Sequence, residues 1–189
     1  MKQHMRTAIL YTLFTGLLLG LGYPLLITAV AHVVFPRQSA GELIARNGTL
    51  VGSRLIGQPF TGPAYFHSRP SAAGSGYDAT ASSGSNLAPT NRALIDRISQ
   101  SVAAENQSSG DVPVDLVTAS GSGLDPDISP AAAYYQVSRI AQQRRLTESV
   151  VRNLVSAHVT PRQFGLLGEA RVNVLELNLA LDTLYPMPR

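Results

Sequence analysis

The chain has 189 residues, 15 Lys+Arg against 12 Asp+Glu, and no cysteine. Without cysteine there is no disulfide framework, no thiolate metal site and no Cys nucleophile, and because Lys2 is the only lysine, no P-loop or Schiff-base lysine follows it. From Arg37 onward 13 arginines face all 12 carboxylates, so that part is nearly neutral and no nucleic-acid surface follows from it.

From Thr7 to Pro36 there are 30 consecutive residues without a formal charge. At about 1.5 Å per residue, Ala8 to Ala31 alone outreaches a hydrocarbon core of roughly 30 Å. The reading is a retained membrane helix over 7–35, preceded by a short cytoplasmic N-terminus (1–6) and followed by one soluble domain (36–189). The competing reading is a cleaved secretory signal, with Lys2 and Arg6 as its basic start and Ala29-Val30-Ala31 as a small-x-small site. The run is too long for a signal core and keeps Leu, Ile, Val and Phe to its end, which favours an anchor. Lys2 and Arg6 against Arg37 place the N-terminus in the cytoplasm and the domain outside it. Gly16 and Gly20 form a G-x-x-x-G that lets another helix approach closely, and Pro24 is expected to kink or loosen the helix at mid-depth.

The soluble part reads as α+β, one mixed α/β extracytoplasmic domain. Short β-prone runs at Thr49–Ile56 and Val114–Thr118 predict strands. Gly74–Pro89, rich in Ser, Gly, Ala and Asn, is a long loop. Thr90 or Asn91 caps a helix with the stripe Leu94, Ile95, Ile98 and Val102, broken over Glu105–Val112. Ser129-Pro130 starts a helix to about Arg144 that buries Tyr134, Val137, Ile140 and Ala141. Thr147 caps the next, with Leu146 stapled to Val151 and with Val150, Val151, Leu154, Val155 and His158 on one face. Val172–Leu184 fits strand alternation and a helical stripe alike; Asn173 with Glu176 as a capping box favours helix from Asn173.

Few groups carry chemistry. His67 and His158 are the only histidines beyond His32. With no Cys and no H-E-x-x-H spacing, no metal site is expected, and His158 reads as a satisfied histidine on an apolar stripe. Asp125-Pro126-Asp127 reads as a turn feeding the Ser129-Pro130 cap rather than a calcium loop. Ala119–Gly123 fits neither the G-x-S-x-G elbow nor a G-K-[ST] loop. Ser82-Ser83-Gly84-Ser85-Asn86 can offer amides to an anion, or pack as an ordered polar loop on its own domain or on a partner. The loop Ser82–Asn91 is expected to be ordered and to lie at a partner surface, with Ser83, Gly84, Ser85 and Asn86 as contact candidates beside Gly16 and Gly20.

Gly52-Ser53-Arg54-Leu55-Ile56-Gly57-Gln58-Pro59-Phe60, Tyr65-Phe66-His67-Ser68-Arg69-Pro70-Ser71-Ala72 and Ala81–Leu87 closely resemble the C subunit of the bacterial Kdp-type potassium-transporting ATPase. The resemblance continues through Pro113–Asp125 and Ile128-Ser129-Pro130, and closes with Val172–Asp182. It implies a non-catalytic subunit of an ATP-driven potassium importer in the bacterial inner membrane. Its implied partners are a channel-like potassium-selective subunit, a P-type ATPase subunit and a small stabilising subunit. The C subunit is implied to be needed for assembly and to act as a catalytic chaperone that raises the pump's affinity for ATP.

P-type pumps phosphorylate an Asp-Lys-Thr-Gly aspartate, and a chain whose one lysine is Lys2 lacks it. In the family a Leu-Ser-x-x-Gln stretch is likened to a nucleotide-sensing signature; here it corresponds to Leu146-Thr147-Glu148-Ser149-Val150, with valine in place of glutamine. Thr147, Glu148 and Val150 are therefore the candidates for direct ATP contact. The other route is linkage: a subunit that prefers one pump conformation shifts ATP affinity from a distance. No metal or other cofactor is expected. A membrane-anchored periplasmic hydrolase using His67 or His158, and an exported binding protein cleaved after Ala31, are the alternatives from other classes.

Overall fold

The structure, a computed structural model, describes residues 2–46, 48–105 and 110–187. It comprises two compact units, the first running to Ile44 and the second beginning at Ala45.

In the first unit, α1 (Lys2–Leu17), a π-helical turn (Leu18–Gly22) and α2 (Tyr23–Val34) form one unbroken helix of 33 residues. Its most apolar window has a mean hydropathy of 2.0 and none of it is buried, so it is long and apolar enough to cross a membrane. At Pro24 the helix is loosened, one of the two outcomes expected of that residue. The ladder widens one turn before it, the Tyr23 N–H bonding the Leu18 carbonyl five residues back. A π turn just ahead of a residue with no N–H absorbs the mismatch in register. A short α3 (Pro36–Ser39) follows. β1 (Leu43–Arg46), not foreseen from the spacing, runs across the division between the units and pairs with β2 (Thr49–Ser53), which belongs to the second. The expected strand to Ile56 stops at Ser53, whose Oγ accepts from the Leu55 N–H (3.1 Å) and turns the chain.

The second unit is built on a three-stranded antiparallel sheet in the order β3 (Asp127–Ile128), β5 (Arg171–Asn173), β4 (Val159–Thr160). α5 (Pro130–Tyr135) and α8 (Val174–Leu184) lie against β5, while α6 (Val137–Arg144) packs on α5 and α7 (Glu148–Ala157), and α7 in turn on α5 and α8. Val137, Ile140, Val151, Val155, Val172, Leu177 and Leu181 are fully buried between these elements and form one cluster. At about 1.5 to 3 kcal/mol for each Val, Ile or Leu taken out of water, this cluster is the main favourable term in the fold.

Ser129 caps α5 as expected, its Oγ accepting from Ala132 N–H (3.2 Å), with Pro130 in the first turn. The single helix expected to Arg144 is divided at Gln136, whose N–H bonds three residues back to Ala133 (3.2 Å), a local tightening of the turn. Val172–Leu184 combines both readings: its first two residues end β5, then α8 follows, with Asn173 Oδ1 capping Glu176 N–H (3.1 Å). Glu176 does not close the reciprocal box; it pairs with Arg54 (3.0 Å).

Val114–Thr118 is not a strand but a 3₁₀ turn over Val114–Leu116. Leu116 and Val117 are both buried while Val114 is 65% exposed, and two buried neighbours in sequence cannot share one face of a strand. Thr118 Oγ1 closes the turn onto the Val114 carbonyl (2.8 Å). α4 (Arg92–Glu105) is capped by Asn91 Oδ1 through Ala93 N–H (2.8 Å), and its stripe of Leu94, Ile95, Ile98 and Val102 is only partly covered. The break expected over Glu105–Val112 lies partly outside the described residues. Gly74–Pro89 has no regular structure, as its composition indicates.

Candidate functional site

The predicted contact residues occupy three separate places. Gly16 and Gly20 are exposed on the apolar helix, with no other part of the chain within 4 Å of where a side chain at either would begin. Thr147 and Glu148 are exposed and Val150 half-buried at the start of α7. The Thr147 hydroxyl does not cap α7 as expected: it bonds Ser149 Oγ (3.0 Å), and Glu148 reaches Arg152 one turn on (3.5 Å).

Ser83, Gly84, Ser85 and Asn86 belong to a polar body made by two loops of this chain. Ser83 N–H and Ser82 Oγ both donate to the Ser122 carbonyl (2.9 and 3.1 Å). Gly84 lies against the Gly121 backbone, where a Cβ would stand 3.1 Å from the carbonyl oxygen. Gly123, at φ 67°, leaves no room for a Cβ beside Ala73 N and Ser83 O, both 2.6 Å away. The Ser83 amide is thus already used, and contacts within the chain account for the order of this part of the loop.

The histidines are held in place by hydrogen bonds. His158 Nδ1 lies 2.8 Å from the Leu154 carbonyl. His67 presents Nδ1 to Glu105 (2.9 Å) and Nε2 to the Gly62 carbonyl (3.2 Å). Burial pushes the Glu105 carboxyl upward, but the His67 hydrogen bond and charge, with Arg139 nearby, outweigh it and hold it below its ordinary value. Among the described residues no three His, Asp or Glu converge as metal ligands. Asp125 makes the expected turn, accepting from Asp127 N–H (3.1 Å) and pairing with Arg69 (3.1 Å). It lines an open groove of about 360 Å³ with Asp115, Asp127 and Arg171. Asp127, raised chiefly by burial, is paired with Arg171 (3.0 Å), and Asp115 accepts from Ser129 N–H (2.8 Å), so the groove's acids meet partners in the same chain.

A constellation that the sequence pattern did not reveal holds the segment Pro63–His67. Asn178 of α8 clasps Phe66 like a strand neighbour, Oδ1 accepting from its N–H and Nδ2 donating to its carbonyl, both at 2.9 Å. Gln136 does the same for His67, at 2.7 and 3.3 Å. Arg139 donates to the carbonyls of Pro63 (2.6 Å) and Tyr65 (3.0 Å), and Arg144 to that of Ala64 (2.8 Å). Arg144 also reaches Asp182 (2.7 Å) and lies 4.8 Å from the centre of the Tyr65 ring, whose hydroxyl donates to the same Asp182 (3.1 Å). Gln136, Arg139, Arg144 and Asn178 are all buried. A loop that runs through an interior must have its backbone groups paired, and here side chains from two helical regions pair them.

These features describe an apolar helix and a domain whose polar side chains are engaged with its own backbone. The chain matches the family model for KdpC, the K+-transporting ATPase c chain, over residues 5–183. The potassium-transporting ATPase KdpC subunit of Acidobacterium capsulatum is 62% identical over 183 residues, covering 97% of this chain and 100% of the relative. That of Koribacter versatilis is 56% identical over 190 residues (100% and 98% covered), and that of Gemmatimonas aurantiaca 57% over 188 (97% and 94%). The motifs from Gly52 to Asp182 and the helix ahead of them therefore have one explanation: this chain belongs to the KdpC family, the c chain of K+-transporting ATPases.

Proposed function

We propose that this chain is a non-catalytic subunit of an ATP-driven potassium import pump, anchored in the bacterial inner membrane by α1–α2 with its second unit on the periplasmic side. The observation that carries the reading is the family match over 5–183, which includes all but the first residues of the apolar helix as well as the domain. The positive flank Lys2/Arg6 supports the orientation. The absence of lysine beyond residue 2 supports placing ATP hydrolysis in a partner.

On this reading the chain supports assembly with the channel-like, P-type ATPase and small subunits, Gly16 and Gly20 offering a helix-packing face. It raises the pump's ATP affinity by binding one conformation of the assembly more tightly, a coupling of about 1 to 3 kcal/mol, and ATP in return tightens its hold by the same factor. Direct contact through Thr147, Glu148 and Val150 is the weaker route. Glu148 already meets Arg152, and Val150 has no polar group to offer.

The test is co-purification from detergent with a tag on the C-terminus, followed by subunit dissociation rates with and without ATP. The expected outcome is recovery of the pump subunits and slower dissociation with nucleotide. Recovery without partners overturns the reading. Calorimetry on the isolated full-length chain separates the two routes, since micromolar ATP binding overturns remote coupling. Replacing Gly16 and Gly20 together by Leu is expected to weaken recovery of the pump while leaving membrane insertion intact.

A further inference from the structure

β4 and β5 are antiparallel neighbours, Val159 opposite Val172 and Thr160 opposite Arg171, and the connection between them extends past the sheet as a finger. Gln163 and Leu167 exchange both backbone hydrogen bonds (2.9 Å each), and Arg162 pairs with Glu169 across the base. The tip is not polar. Phe164 is 93% exposed, Leu166 80% and Leu167 60%, three large apolar side chains within the one loop that the Gln163–Leu167 bridge closes.

Phe164 also sits at φ 52°, in the left-handed region that bulky residues avoid, next to Gly165 at φ 74°. A Cβ-bearing residue there is strained by roughly 1 to 2 kcal/mol. Nothing in its own domain rewards that strain, because the ring covers no part of the core. Strained, ordered positions of this kind concentrate at recognition sites.

We propose that the finger 163–167 is a docking plug that seats Phe164 and Leu166 in an apolar, polar-rimmed pocket on another subunit of the pump. The proposal rests on the pump-subunit reading above. Two observations favour a protein pocket over a lipid surface. The hairpin is closed by its own backbone bonds and base ion pair, so little ordering remains to be done on binding, the economy that matched protein surfaces exploit. Its charges are neutralised in place, Arg162 by Glu169 and Arg171 by Asp127, whereas interfacial lipid-binding elements keep an uncompensated basic face.

The chain has no cysteine, so one introduced thiol reports on one position. Leu166→Cys, labelled with an environment-sensitive dye, is compared in the assembled pump and in the lone subunit in phosphatidylethanolamine/phosphatidylglycerol vesicles; Ser138→Cys on the exposed side of α6 is the control. The expected result is a blue-shifted, quencher-protected label at 166 in the assembled pump alone. Protection in vesicles of the lone subunit makes lipid the occupant and overturns the proposal, as does a solvent-exposed label in both. Failure of the unlabelled wild-type chain to recover any pump subunit overturns the pump-subunit reading together with this one, while recovery with an exposed label overturns docking alone. Phe164→Gly separates docking from folding: its thermal midpoint should hold or rise because the strain is relieved, while dissociation from the pump should quicken about 10-fold or more, as loss of an aromatic anchor does. Unchanged dissociation overturns the proposal.

Discussion

Two stretches of irregular chain in the second unit, Pro63–His67 and Gln163–Leu167, are built on opposite plans. The first makes few bonds of its own; its backbone is paired by buried side chains from α5–α6 and α8. The second closes its own backbone and turns its apolar side chains outward. Absence of regular structure therefore does not mean the same thing twice. A loop satisfied by the core is part of the core, whereas a loop satisfied by itself leaves its side chains free for recognition.

The comparison breaks most visibly at Asn178. Asn178→Ala leaves the buried Phe66 N–H and carbonyl unpaired and is expected to cost about 3 kcal/mol, at roughly 1 to 3 for each orphaned group. The measurement is urea unfolding of the full chain in detergent, where a lower midpoint at unchanged slope is the expected signature. A shift within ±0.5 kcal/mol would show that the clasp is dispensable. Arg144→Met keeps the stem but strips the donors from Ala64 and Asp182; about 2 kcal/mol is expected, below Asn178 because Asp182 is partly in water.

Acid sharpens the comparison further. Glu105 is depressed in the folded chain, so its contribution is present above the ordinary carboxylate value of 4.5 and is lost as pH falls through the depressed one. Asp127, raised above 3.8, has the opposite sign and offsets part of the loss. The unfolding midpoint should therefore fall more between pH 7 and a pH below about 4 in the wild type than in Glu105→Gln, and equal falls would show that the His67–Glu105 pair contributes nothing to stability. At the finger the sign reverses: Phe164→Gly should gain up to about 1 kcal/mol from relief of the left-handed strain, less the extra entropy of glycine in the unfolded chain. Smallest of all, Thr147→Ala should change stability by less than about 0.5 kcal/mol, since its hydroxyl bonds only Ser149.

What was legible in the chain was local. Ser129-Pro130 and Asn173 announce helix starts because a cap is a contact across three residues, and the long apolar run needs no partner to be recognised. Thr147 shows the limit of that logic, since it occupies the cap position while its side chain bonds elsewhere. Val114–Thr118 misled because β-branched composition outweighed the missing alternation. The side chains that hold Pro63–His67 are invisible in the sequence for a different reason: Asn178 lies 112 residues from Phe66, and Arg139 and Arg144 look like a solvated helix face until the loop is laid over them. Phe164-Gly165-Leu166-Leu167-Gly168 does carry a local signal, an apolar cluster punctuated by glycines between two short β runs.

The Asn178 clasp also dictates an order of events during synthesis. The Phe66 backbone emerges early, but its partner is separated from it by 112 positions and arrives only with the last helix. Until then the segment must stay hydrated, and Phe66 cannot be sealed inside. Closure of so distant a pair is slow because the loop entropy must be met before the contact returns anything. The domain should therefore acquire protease resistance in a single late step, after α8 has appeared, and nascent chains halted before residue 178 should remain cleavable around Tyr65.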